Sequence, residues 1–255
     1  MTQLFRPSLL GVAITLAFLS SVSAIPQVAA QSTGTQFTSA QSGGILYSQQ
    51  SSSKAIPSSV GKPNTRRAQS GKGACPFTEN QMKLTALVPK TMNGPQTVSK
   101  YPTFWFYVPY TRSNNLSGVF VLQDENGKDI YRNDDVSLPE APGVISVQIP
   151  ATAAPLEMEK EYQWFFQVTC SNPTPEVSGW IQRGVIDSTL MKQINAAQPL
   201  QRAALYAEQG FWYDALSVIG EKRLLNPQDG VLIKAWASLL VQLELKEVAI
   251  KSGTQ

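Results

Sequence analysis

The chain has 255 residues, 42% hydrophobic and 15% charged, with a formal net charge of +3 and no histidine. That length holds one large domain or two small ones. Without histidine the commonest general base and transition-metal ligand is missing, so histidine-dependent triads and His-ligated metal sites are excluded.

Residues 1–30 read as a signal peptide. Arg6 supplies the positive start, Leu9 to Leu19 is mostly apolar and short for a span, and small residues end at Ala24 and again at Ala30, either of which fits cleavage. An uncleaved N-terminal anchor is the alternative. No later run approaches the ~20 apolar residues a bilayer needs. The mature chain is therefore expected outside the cytoplasm, periplasmic or secreted, with no transmembrane span.

Residues 31–74 are rich in Ser, Gln, Thr and Gly and poor in large apolar side chains. Such a segment buries too little to offset the entropy of ordering, so a disordered linker is expected. Lys54, Lys62, Arg66, Arg67 and Lys72 all precede Glu79, the first acid of the chain, which makes the linker basic and the remainder acidic on balance. It is either a solvated linker or an arm for an anionic surface. The charges are sparse and carry no interleaved aromatics, which argues against nucleic acid. The two cysteines, Cys75 and Cys170, are expected to pair in an exported protein. The loop so closed would be worth roughly 4–5 kcal/mol.

Residues 75–186 carry a β pattern. Leu84, Ala86 and Val88 alternate before Pro89. Thr103 to Val108 is an aromatic strand between Pro102 and Pro109, with Tyr101, Trp105 and Tyr107 on one face and Phe104 and Phe106 on the other. Val119 to Gln123 and Lys128 to Arg132 flank Asn126-Gly127, which predicts a type I′ hairpin. Val144 to Ile149 follows, then Tyr162 to Cys170, where Tyr162, Trp164, Phe166, Val168 and Cys170 share a face opposite Gln163, Gln167 and Thr169. Val177 to Ile186 closes the set. About seven short antiparallel strands point to a β-sandwich of immunoglobulin or fibronectin III kind. Leu156 to Tyr162 resembles the fibronectin type III tyrosine-corner segment, without its usual proline. The resemblance implies a buried Tyr162 whose hydroxyl bonds upstream backbone, and it casts Trp105 as the core tryptophan.

Residues 187–250 turn helical. Asp187 or Ser188 caps a first helix, Pro199 opens a second that Gly210 stops, and a third runs from Trp212 to Leu224. Asp229 caps a fourth carrying Leu232, Ala235, Trp236, Leu239, Leu240 and Leu243. Tyr206, Gly210, Ala215, Ile219 and Pro227 match the spacing of one tetratricopeptide-like hairpin, too few repeats for a solenoid.

Leu84 to Pro89, Pro102 to Tyr110, Gly179 to Arg183 and Leu205 to Leu216 together resemble the cyanobacterial "domain of unknown function 928" family over roughly residues 70–250. The resemblance implies an exported cyanobacterial protein of unassigned activity and supplies no catalytic residues to carry over.

No catalytic, metal or cofactor set emerges. Asp124-Glu125 adjoins a turn, and Glu157, Glu159 and Glu161 fall in a loop region, so surface charge accounts for both better than paired catalytic carboxylates. Asp134-Asp135 lacks the spaced oxygen ligands of a calcium site. The Trp105 stripe is either sandwich core or an exposed platform for sugars or a partner strand. Phe211, Trp212 and Tyr213 are the candidate binding residues, because three successive helical side chains are expected to leave at least one ring exposed. The reading is a non-enzymatic binding or scaffold module of the periplasm or cell envelope, with a protein or glycan partner. A carbohydrate-binding module or a glycan-acting envelope enzyme is the alternative.

Overall fold

The computed structural model describes residues 65–68, 82–90, 95–113, 116–169 and 174–252. The expected signal segment, most of the 31–74 linker, Cys75 and Cys170 lie outside these residues, and so does the expected bridge.

The described strands form two mostly antiparallel sheets, followed by five helices. The smaller sheet has the order β1-β3-β6, from β1 (Thr85–Ala86), β3 (Thr103–Val108) and β6 (Gly143–Gln148). The larger has the order β2-β8-β7-β4-β5, from β2 (Gln96–Thr97), β8 (Glu176–Arg183), β7 (Glu161–Thr169), β4 (Ser117–Gln123) and β5 (Asp129–Val136). Only β2 runs parallel to its neighbour, β8. The helices are α1 (Ser188–Ala196), α2 (Pro199–Glu208), α3 (Trp212–Leu225), α4 (Gly230–Gln242) and α5 (Lys246–Ser252).

The two sheets share one core. β3 sends Phe104 and Phe106 into it, β4 sends Phe120 and Leu122, and β7 sends Tyr162, Trp164, Phe166 and Val168. Phe106 stacks on Phe166 at 4.4 Å, and Phe104 meets Phe120 at 4.9 Å. Alternation on β7 therefore works as expected, one face in and one out.

β3 departs from that rule, because all six of its residues are buried. Its second face, Trp105 and Tyr107, enters a separate core made with Trp212, Leu216, Ile219, Trp236 and Leu240 of the helices. The smaller sheet is thus a middle layer between the larger sheet and the helices. This corrects two expectations. Trp105 is neither the sandwich tryptophan nor an exposed platform; Trp164 fills the sandwich, and Trp105 packs edge-on to Trp236 at 5.3 Å while its Nε1 donates to Ser217 Oγ at 3.1 Å. Gly220 of α3 makes the contact feasible, since a Cβ there would lie 2.5 Å from the Trp105 ring.

Helix starts follow the capping signals. Asp187 accepts the N–H groups of Thr189 and Leu190, and Asp229 those of Val231 and Leu232. Pro199 sits in the first turn of α2, and Gly210 takes φ +80° just beyond its end. α5 was not separately resolved from the sequence; it is short, and Glu244 makes the preceding turn at φ 59°.

The hairpin between β4 and β5 is not type I′. Of its turn residues Gly127 alone has positive φ, at 77°. Asp124 Oδ1 accepts the N–H groups of Asn126 and Lys128, at 2.9 and 3.0 Å, so the aspartate side chain closes the turn and Asn126 needs no left-handed backbone.

Residues 65–68 also correct the linker expectation. Thr65 bridges to Ser178 of β8 and Arg67 to Thr85 of β1, so this strap touches both sheets. Ala68 is buried in the sandwich core, and buried Arg66 donates from Nη2 to Leu243 O at the end of α4, at 2.5 Å. The composition of the surrounding stretch hid a short segment held mainly through its backbone.

Candidate binding surface

The sequence candidates Phe211, Trp212 and Tyr213 are brought together and all three are buried, at 4%, 0% and 3% exposure. The expected exposed ring does not exist. Phe211 is the residue before the helix, with non-helical backbone, and lies against Gly184. Trp212 turns into the helical core and Tyr213 into the sandwich core, because α3 runs between the two. Helical geometry prevents three successive residues from facing one core, but not from being divided between two. Tyr213 ties the layers: its hydroxyl accepts from Trp164 Nε1 at 2.8 Å and donates to Trp180 O at 3.2 Å. Burial raises its pKa far above the usual tyrosine value.

The acidic candidates do not converge. Asp124 is used by its turn, and the backbone N–H donors there, Lys128 first, lower its pKa. Asp134 and Asp135 are exposed, and Arg132 binds Asp134 at 2.8 Å. Glu157 and Glu159 are exposed, and Glu157 pairs with Lys160 at 2.9 Å. Among the described residues no three His, Cys, Asp or Glu side chains gather as a metal site would require. Among them, too, no helix is long and apolar enough to cross a membrane.

A different surface stands out once the strands are paired. The outward face of the larger sheet is read in rows across β4, β7 and β8. Gln123, Gln163 and Trp180 form one row; Val121, Phe165 and Ser178 the next; Val119, Gln167 and Glu176 the third. Strand spacing and rise make the backbone grid of this field roughly 10 Å by 14 Å, and Val121 and Ser178 within it are buried. Phe165 and Trp180 are half-buried, on adjacent strands and diagonal to one another. Gln167 donates its amide to Glu176, and Gln123 donates to Asp129 at 2.8 Å. The Gln163 side-chain amide, opposite Trp180, has no protein partner among the described residues. Arg132, across from Val121, is held by Asp129 at 3.6 Å and by Asp134. The field is neutral at its centre, with acids at its rim. Phe165 was the missed signal: an aromatic residue between Gln163 and Gln167 on the polar face of a strand whose other face already fills the core.

A second polar cluster lies between α3 and the β2 segment. Val98 N donates to Asp214 Oδ2 at 3.1 Å, and Thr97 Oγ1 accepts from Ser99 N at 3.0 Å. Asp214 keeps some solvent-facing surface, but protein crowds its carboxyl. That burial pushes its pKa up to about 7, against the opposing donors of Thr97, Val98, Asp214 itself and Ser99. Its geometry fits an anchor for the β2 segment, with nearby Arg183 Nε donating to Val98 O at 3.3 Å.

The model of a family described as Domain of Unknown Function (DUF928) matches residues 64–252. The chain belongs to that family. The DUF928 match begins beside Thr65, where the strap joins β8, and ends at Ser252, whose hydroxyl accepts from Trp236 Nε1 at 3.1 Å. Strap, both sheets and all five helices therefore fall inside the DUF928 region. A search of curated proteins returns no match to this chain.

Proposed function

We infer that the protein is an exported, non-enzymatic binding module of the cell envelope. The outward face of its larger sheet is the binding surface. The observation that carries this reading is the pair of half-buried rings, Phe165 and Trp180, set among glutamine side chains. A single partly exposed aromatic residue is ordinary; two on neighbouring strands, beside an amide with no partner among the described residues, make a surface suited to contact. The backbone at Trp180 is anchored as well, because its carbonyl accepts from the hydroxyl of buried Tyr213. Preorganised side chains lose less entropy on binding.

Within this reading the body is an immunoglobulin-like sandwich. In such folds one sheet contains strands A, B and E and the other runs G-F-C-C′. The orders β1-β3-β6 and β8-β7-β4-β5 support that correspondence. So does Tyr162 near the start of β7, whose hydroxyl accepts Glu157 N–H at 2.8 Å. Export rests on the N-terminal signal pattern of residues 1–30, and a Cys75–Cys170 bridge would follow from it.

The test is sedimentation of the mature protein with isolated envelope fragments, with Phe165→Ala/Trp180→Ala run beside it. Retention of the parent and loss of the double variant is the expected result. Absence of any retention of the parent protein would refute the reading. A scaffold role has separate support in exposed Leu224, Leu225 and Val231 around the α3–α4 turn, at 63%, 75% and 51% exposure. If those side chains hold the partner, Leu225→Ser abolishes retention and the sheet variant does not.

A further inference from the structure

We propose that the outward field of the larger sheet takes a neutral glycan, with Phe165 and Trp180 as stacking rings and Gln163 as the residue that bonds sugar hydroxyls. The proposal rests on the binding-module reading and names the ligand for its surface. Three features select this ligand class. The first is the pair of half-buried aromatic residues on adjacent strands, the side-chain type that stacks on the apolar C–H face of pyranose rings. The second is hydrogen bonding. A sugar hydroxyl both donates and accepts, and so does a primary amide. The Gln163 side chain lies across from Trp180 in register and has no hydrogen-bond partner among the described residues, so its amide can serve a ligand hydroxyl.

The third feature is charge, and it separates neutral from acidic glycans. The cation beside the field, Arg132, is already shared by Asp129 and Asp134, and Glu176 stands at the opposite edge. A carboxylated or sulfated polymer would meet Asp129, Asp134 and Glu176 there, and Arg132 is already engaged by two of these acids. A protein strand or sheet is the competing occupant of such a face; an amide with no partner among the described residues favours a ligand rich in hydroxyls over an apolar one.

The test is a depletion assay with the mature protein on amorphous cellulose, xylan, β-1,3-glucan and amylose, with polygalacturonate as the acidic comparison. Retention is expected on at least one neutral polymer and not on polygalacturonate. Gln163→Leu keeps the volume and removes the amide; Phe165→Ala removes a ring. Each is expected to weaken binding about tenfold or more. Leu225→Ser, at the far helical turn, is expected to bind as the parent does. Thermal melts of the variants separate lost binding from lost folding, and Gln163→Leu is the decisive one because the Gln163 side chain makes no hydrogen bond to the described residues. Binding to polygalacturonate alone would overturn the proposal, as would unchanged affinity in both Gln163→Leu and Phe165→Ala. Retention on envelope fragments without retention on any neutral polymer would overturn the ligand class while leaving the binding module standing. Loss of envelope retention after protease treatment of the fragments would then assign the surface to a protein.

Discussion

Replacing Tyr162 with phenylalanine removes one oxygen and leaves the Glu157 N–H, which donates to it over 2.8 Å, without an acceptor. The hydroxyl is the acceptor in this bond and the backbone N–H its donor. Tyr162→Phe is expected to lower stability by roughly 1–3 kcal/mol in denaturant melts. Tyr107→Phe is the comparison: the Tyr107 ring is equally buried, yet its hydroxyl has no hydrogen-bond partner among the described residues, so the loss is expected to be smaller. The reverse order would count against a tyrosine corner at Tyr162. Asp214 gives a pH signature. Its folded pKa is about 7, above the carboxylate value of 3.8. The folded chain therefore holds a proton that the unfolded chain releases between these values. The resulting stabilisation is absent above pH 7, grows as pH falls, and is complete below the unfolded pKa. Thermal midpoints of the parent, referred to Asp214→Asn, are expected to rise from pH 8 to pH 5. A parent curve parallel to that of Asp214→Asn would show that the carboxyl ionises normally.

At the scale of elements, the strap has the largest effect for its length. Thr65 O accepts from Ser178 N, Arg66 O from Ala86 N, and Leu84 O from Ala68 N, while Arg66 reaches Leu243 O. At roughly 0.5–1.5 kcal/mol for each bond, a chain beginning at Gly73 is expected to melt about 10 °C lower than one beginning at Pro63. Equal midpoints would mean that the strap adds nothing. The strap was illegible in the sequence because its bonds are mostly made by backbone, which leaves no side-chain period to read. The strands and helix starts were legible for the opposite reason. Alternation on β7 separates Trp164 and Phe166 from Gln163 and Gln167, and Asp187, Pro199 and Asp229 each occupy a position at a helix end that suits their chemistry. The sequence located the aromatic strand β3 but not its role, since period two assigns residues to opposite faces without saying what covers each face. The same gap misplaced Trp105 and the Phe211-Trp212-Tyr213 triplet. The candidate surface is half legible: alternation puts its glutamines on the outward face, but nothing in the period marks Phe165 among them.

Across the whole molecule, the sandwich and the helices are joined by shared residues rather than by a linker. α3 contributes Tyr213 to one core and Trp212 to the other, and Arg66 of the strap reaches across to the end of α4. Arg66 remains a buried cation, its pKa lowered by burial and by Arg67 only to about 10. Removing the helices would therefore uncover Leu87, Trp105 and Tyr107 on the middle sheet and leave the Arg66 bond to Leu243 unmade. That has a consequence for biogenesis. Synthesis proceeds from the N-terminus, so every strand of both sheets leaves the ribosome before the helices that cover the middle one. Through that interval the nascent chain presents an aromatic sheet face with nothing to lie against it, the kind of surface on which chains aggregate. Delivery in an unfolded state, with folding delayed until residue 252 has arrived, suits this architecture better than folding strand by strand as the chain emerges.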